Sequence, residues 1–176
     1  MTYHSTIYRT FVAKAILVVV LAIAHVATGM AREMNLKQGK LSNGLTYYIA
    51  NGGGTPGSVH YYMYQNVGAI LEDDAQNGLA HVLEHLAFNT TEHFPEGVMT
   101  FLRGNGLNAF SAYTGLDDTR YAVRDVPAND KGLNRRMLQL LYDWCHGVRI
   151  TPQDVDKERA IIMEEWRQRN DVNHRM

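Results

Sequence analysis

Residues 81 to 85 read His81-Val82-Leu83-Glu84-His85. On a helix the two histidines are four apart, so both imidazoles leave one face a turn apart and can share one metal ion. Glu84 stands one residue before the second histidine. A carboxylate there can take a proton from water on that metal without being a ligand itself, which is general-base work. The order is that of the inverted His-x-x-Glu-His motif, the reverse of the commoner His-Glu-x-x-His. The same three residues on a solvated helix face would do no chemistry, so the surrounding sequence decides between the two readings. Leu79, Ala80, Val82, Leu83, Leu86, Ala87 and Phe88 make the segment apolar almost all round, which predicts a buried helix. Histidines and a glutamate are costly in such a place unless paired or bound to metal. Asn77-Gly78 opens the helix and Asn89-Thr90-Thr91 ends it.

A catalytic metal of this kind needs a third protein ligand and one open position. The stretch from Thr151 to Asn170 can supply it. Thr151 caps a helix, Pro152 suits its first position, and Asp154 favours the positive end of its dipole. Glu158 and Glu165 are seven apart, two turns, and share a face bordered by Ile161 and Ile162. Helical phase alone leaves open which of the two touches metal. Glu164, Arg167 and Arg169 belong to a charged outer face.

Gly78-Leu79-Ala80-His81-Val82-Leu83-Glu84-His85-Leu86-Ala87-Phe88, followed by Glu158-Arg159-Ala160-Ile161-Ile162-Met163-Glu164-Glu165, resembles the pitrilysin or insulinase family of zinc metalloendopeptidases. Leu41-Ser42-Asn43-Gly44-Leu45-Thr46-Tyr47-Tyr48 is similar to the first-strand opening of that family, and Ala112 to Tyr121 to its substrate-edge hairpin. The resemblance therefore runs from about Lys37 to Asn170. It implies zinc as cofactor, His81, His85 and Glu165 as its ligands, Glu84 as general base, and Glu158 as an orienting carboxylate behind the first histidine. Ser111, Ala112, Tyr113 and Thr114 become the substrate-binding strand. An asparagine usually stands in the family where this chain has Ser111, and the stretch from Met99 to Asn108 is shorter than the family's usual loop.

The function so implied is hydrolysis of oligopeptides or unfolded polypeptides by zinc-activated water. The competing expectation is a truncated, inactive homologue that binds zinc or a partner chain. Family members carry repeated homologous domains, and a later one closes over the site, so a carboxy-terminal homologous domain or separate chain is an expected partner. For the same reason this chain alone is expected to hydrolyse peptides poorly.

At the amino terminus Arg9 and Lys14 precede the apolar run Ala15 to Ala24, and Gly29-Met30-Ala31 offers small residues. That is the layout of a secretory signal peptide over residues 1–31, with an uncleaved membrane anchor as the alternative. The expected location is periplasmic or secreted, or anchored facing the periplasm. Residues 32–176 then form the amino-terminal part of a zinc metallopeptidase domain. A formal net charge of −1 with no basic, aromatic-laced patch argues against nucleic acid as a partner. Cys145 is the only cysteine, which rules out an internal disulfide, and its neighbours predict a helix-core position. His60, in a strand, and His146, near a helix end, are read as structural histidines, and His93 as a loop residue.

Hydrophobic patterning places a hairpin over Leu45–Ala50 and Ser58–Asn66, the metal helix, a short helix near Gly97–Gly104, a second hairpin over Leu107–Thr114 and Thr119–Val126, and helices over Asp130–Gly147 and Thr151–Asn170. Hairpin strands with interspersed helices predict an α+β fold, a mostly antiparallel sheet with helices packed on one face.

Overall fold

The computed structural model describes residues 35–52 and 54–173. The proposed signal segment, residues 1–31, lies outside them. The chain divides into two units, residues 1–53 and 54–176.

The first unit contains an antiparallel hairpin of β1 (Asn35–Lys40) and β2 (Thr46–Asn51), with Lys40 opposite Thr46 and Asn35 opposite Asn51. Its turn is closed by the Leu41 amide donating to the Leu45 carbonyl at 2.8 Å. Gly44 takes φ 93° there, a conformation that strongly favours glycine. This corrects the expected pairing of β2 with the strand after Gly52. The turn at Asn43-Gly44 folds β2 back on β1. Residues 35–40 carry little apolar alternation, which hid β1 in the sequence.

In the second unit β3 (Ser58–Gln65), β4 (Phe110–Thr114) and β5 (Thr119–Pro127) form an antiparallel sheet in the order β3-β5-β4. The helices are α1 (Leu79–Leu86), α2 (Val98–Gly104), α3 (Lys131–His146) and α4 (Pro152–Asn173). A 3-10 turn, Ala69–Leu71, precedes α1. Alternation along the strands sends Tyr61, Met63, Phe110, Ala112, Tyr121 and Val123 to one face, where they pack with Val98 and Leu102 of α2 and Met137, Leu140 and Trp144 of α3. Tyr62, Tyr64 and Tyr113 stand exposed on the other face, with the Arg120 guanidinium 5.6 Å from the Tyr64 ring centre and 5.8 Å from that of Tyr113. The architecture is the α+β arrangement that the sequence predicts. Among the described residues no helix is long and apolar enough to cross a membrane.

Trp144 ties α1 to this core. Its indole N–H donates to the Ala87 carbonyl just past α1 at 3.0 Å, and its ring stacks on Tyr121 and meets Phe88 edge-on. The carboxy-terminal end of α1 is therefore tied to α3 and, through Tyr121, to the sheet. Only part of α1 is sealed: Ala80 and Leu86 are buried, whereas Leu79 and Leu83 are exposed. The all-round apolar pattern overstated its burial, because β4, α4 and the 3-10 turn cover the helix on some sides only.

Candidate metal centre

Helix geometry puts His81 and His85 on one face of α1, and the ring centres lie 4.8 Å apart at 82°. Their Nε2 atoms approach to 3.3 Å. Helix α4 packs against α1 and brings in Glu165, whose Oε2 is 3.6 Å from His81 Nε2 and whose Oε1 is 3.7 Å from His85 Nε2. A tetrahedral zinc centre with bonds near 2.0–2.1 Å sets neighbouring ligand atoms roughly 3.4 Å apart. The three donors, two imidazole nitrogens and a carboxylate, fit that spacing and that chemistry.

Glu158, 5% exposed, lies behind the histidines on the same face of α4. Its Oε2 is 3.2 Å from His85 Nδ1, and its Oε1 accepts from Asn89 Nδ2 at 3.2 Å. A proton on Nδ1 shared with Glu158 leaves the Nε2 lone pair of His85 aimed at the convergence point. The expectation that Glu158 backs the first histidine is thus corrected: it backs the second. Two turns separate Glu158 from Glu165, and His85 is the histidine whose far nitrogen faces Glu158. Glu164 points away and pairs with Arg167 at 3.3 Å. The Thr151 hydroxyl and the Asp154 carboxylate cap the start of α4 reciprocally.

Glu84 stands apart from the three convergent donors. Its Oε2 accepts a hydrogen bond from the Thr114 hydroxyl at the end of β4. Beside it lies a cleft of about 240 Å³ lined by His81, Glu84, Glu72, Ala112, Tyr113 and Thr114 among others. Of the four strand residues proposed to meet substrate, Ala112, Tyr113 and Thr114 line this cleft. Ser111 does not, and lies exposed opposite Ala122. Burial, and then the Glu84 charge, raise the pKa of the Tyr121 hydroxyl, so Tyr121 is a neutral phenol beneath the site.

Thr114, Asn89 and Glu72 hold site residues in ways that motif spacing does not reveal. For Glu72 a signal existed: the capping position before α1 is Gly78, which has no side chain, and the first turn has no acidic residue, so a side-chain cap has to come from elsewhere.

Glu92, His93 and Asp143 also bring possible ligand atoms together. There the buried Asp143 is already saturated: it accepts from the Thr91 hydroxyl at 2.6 Å, the His93 amide at 2.9 Å and His93 Nδ1 at 2.7 Å. This is a clamp between a loop and α3. His60 sits at a β-bulge with Nε2 3.8 Å from Asp125, and His146 ends α3. Cys145 is exposed, contrary to expectation, because the inward phase of α3 is taken by Met137, Leu140 and Trp144.

The family model for Insulinase (Peptidase family M16) matches residues 57–176. Over 145 residues the chain is 34% identical to a probable zinc protease, PqqL, of Haemophilus influenzae, covering 78% of this chain and 15% of that protein. It is 30% identical to the Escherichia coli protein of the same name, covering 85% and 16%. The first half of the periplasmic protease PqqL from Escherichia coli superposes with a TM-score of 0.70 at 31% identity, over 76% of this chain and 29% of that one. The chain thus spans about 15% of the length of these curated relatives.

Proposed function

The chain belongs to the insulinase family, peptidase family M16, and from that premise we propose that its site is the metal half of a zinc-dependent endopeptidase centre acting on oligopeptides or unfolded polypeptides. The observation that carries this reading is the convergence of His81, His85 and Glu165 beside a cleft that Glu84 also lines. The three convergent residues hold the zinc, and Glu158 fixes the tautomer and angle of His85. When bound, zinc supplies a Lewis acid that polarises a peptide carbonyl and brings the acidity of water near neutrality.

Glu84 takes and returns the proton. The Thr114 hydroxyl donates to its Oε2 and favours the orientation in which the carboxylate lines the cleft, leaving Oε1 to act as acceptor. β4 is an edge strand among the described residues, with β5 on one side. Its outer edge can take an extended peptide as an added strand and hold the scissile bond against the site. Ala112, Tyr113 and Thr114 form that seat, and the exposed Ser111 contributes little side-chain anchoring.

The working location is the periplasm, and a homologous carboxy-terminal domain or chain is the partner that completes the substrate chamber. The test is a peptidase assay of the purified chain with and without the separately produced remainder of a relative. Weak hydrolysis alone, stimulated by the added part, stopped by chelator and lost in Glu84→Gln is the expected outcome. Stoichiometric zinc with no chelator-sensitive hydrolysis in either arrangement would favour the non-catalytic module instead.

The glutamates of α4 give a ranked prediction. In competitive chelator titrations Glu165→Gln weakens zinc most, Glu158→Gln by about 10 to 100-fold as for other residues behind a ligand, and Glu164→Gln hardly at all. Equal losses at Glu164 and Glu165 would contradict the assigned face.

A further inference from the structure

Helix α1 carries three of the proposed functional groups, yet its own sequence does nothing to secure its amino-terminal end. Gly78, at φ 90°, offers no side chain, and its first turn holds no acidic residue. The donors at that end are met from outside. Glu72, six residues upstream, accepts from the Gly78 amide through Oε2 at 2.7 Å and from the Ala80 amide through Oε1 at 2.6 Å. A carboxylate bridging two orphan amides places a negative charge at the positive end of the helix dipole. His81 follows Ala80 directly, in the turn so held.

Glu72 is itself anchored to the strand beside the cleft. It ends the 3-10 turn, whose Ala69 and Ile70 amides donate to the Gly115 and Leu116 carbonyls at 3.2 and 2.7 Å. The backbones approach so closely at Gly68 that a Cβ there would stand 2.6 Å from the Leu116 carbonyl oxygen. The turn after β4 therefore grips the segment that ends in Glu72. Together with the Thr114 bond to Glu84, it joins β4 and α1 at two points, one at each end of the functional stretch of the helix.

We infer that Glu72 is a positioning residue for the metal centre: its carboxylate holds the first turn of α1 so that His81 stays in register with His85 and Glu165, and it couples that register to the strand proposed to receive substrate. This inference rests on the zinc-peptidase reading of the site. A group that only added stability would be indifferent to metal geometry. One that sets the place of His81 alters the ligand field while the rest of the fold remains.

The test uses the full chain as wild type, Glu72→Ala, Glu72→Gln and, as an equal change of charge nearby, Asp74→Asn. Zinc affinity is read by chelator competition, ligand geometry by the visible absorption of the cobalt(II)-loaded chain, and folding by circular dichroism of the metal-free chain. We expect zinc affinity to fall on the order of 10-fold or more in Glu72→Ala and by less in Glu72→Gln, which keeps one acceptor and the side-chain length. Both should show an altered cobalt spectrum with the folded signal retained, while Asp74→Asn matches wild type. Glu72→Gln carries the test if the alanine variant folds poorly. A folded Glu72→Gln with wild-type zinc affinity and cobalt spectrum overturns the inference. So does an equal effect of Asp74→Asn, which would reduce it to general electrostatics. A wild-type chain that binds no zinc overturns the metal reading, and this inference with it.

Discussion

Replacing His81 or His85 by alanine abolishes stoichiometric zinc binding by the chain, while Glu84→Gln leaves it in place. Each histidine offers an Nε2 to one point, with 3.3 Å between the two. Removing either leaves two protein donors, too few for a site that needs three plus an open position. Glu84 is adjacent in sequence but is held by Thr114 beside the cleft, apart from the convergent donors. Its neutral isostere therefore keeps the proposed ligand set and removes only the proposed base. Metal analysis of the purified variants, alongside circular dichroism to confirm folding, measures this. Loss of zinc in Glu84→Gln equal to that in His81→Ala would reverse the assigned roles.

Asp143→Ala destabilises the second unit by about 3 kcal/mol or more, a large share of an ordinary domain's stability. The wild-type carboxylate is 0% exposed and receives three hydrogen bonds, so its removal leaves the Thr91 hydroxyl and the His93 amide without their acceptor. Burial by itself would raise the Asp143 pKa, but the bonds from Thr91 and His93 outweigh it and hold the carboxyl below its usual range. A carboxyl depressed in the folded state contributes stability that is fully present above its unfolded pKa of about 3.9 and is lost as pH falls through the lower folded value. Thermal melts from neutral to strongly acidic pH should show this acid limb in wild type and a flatter one in Asp143→Asn. A melting temperature for Asp143→Ala indistinguishable from wild type would show that the clamp contributes nothing.

Features that depend on short-range pattern were readable in the sequence. Two histidines at a four-residue spacing, two glutamates at seven, and the cap before Pro152 follow from helix geometry, and strand alternation separates the Tyr61 and Tyr62 faces of β3. Features that depend on which segments meet were not. β2 pairs with β1 through the Asn43-Gly44 turn and not with the strand that follows the glycine run, a choice of partner that local propensity does not rank. Glu158 reaches His85 and not His81 because of the offset at which α4 lies along α1, which no periodicity encodes. Glu72 looks like one acid in an exposed Glu-Asp-Asp run until the structure turns it onto the amides of Gly78 and Ala80.

Helix α4 has a consequence for the order in which the molecule opens. Among its described side chains Glu158 alone is buried, while Ile161, Met163 and Trp166 are 40%, 46% and 61% exposed. Apolar burial therefore does little to hold this helix down, and its attachment rests on polar contacts to α1. A metal held by His81, His85 and Glu165, as proposed, would stabilise only the docked arrangement, by about 2.7 kcal/mol when free metal exceeds the dissociation constant a hundredfold. Metal supply then acts as a fastener. With it the two helices would open together, and without it α4 is expected to leave the second unit before the sheet does, taking Glu165 and the Glu158 support of His85 with it.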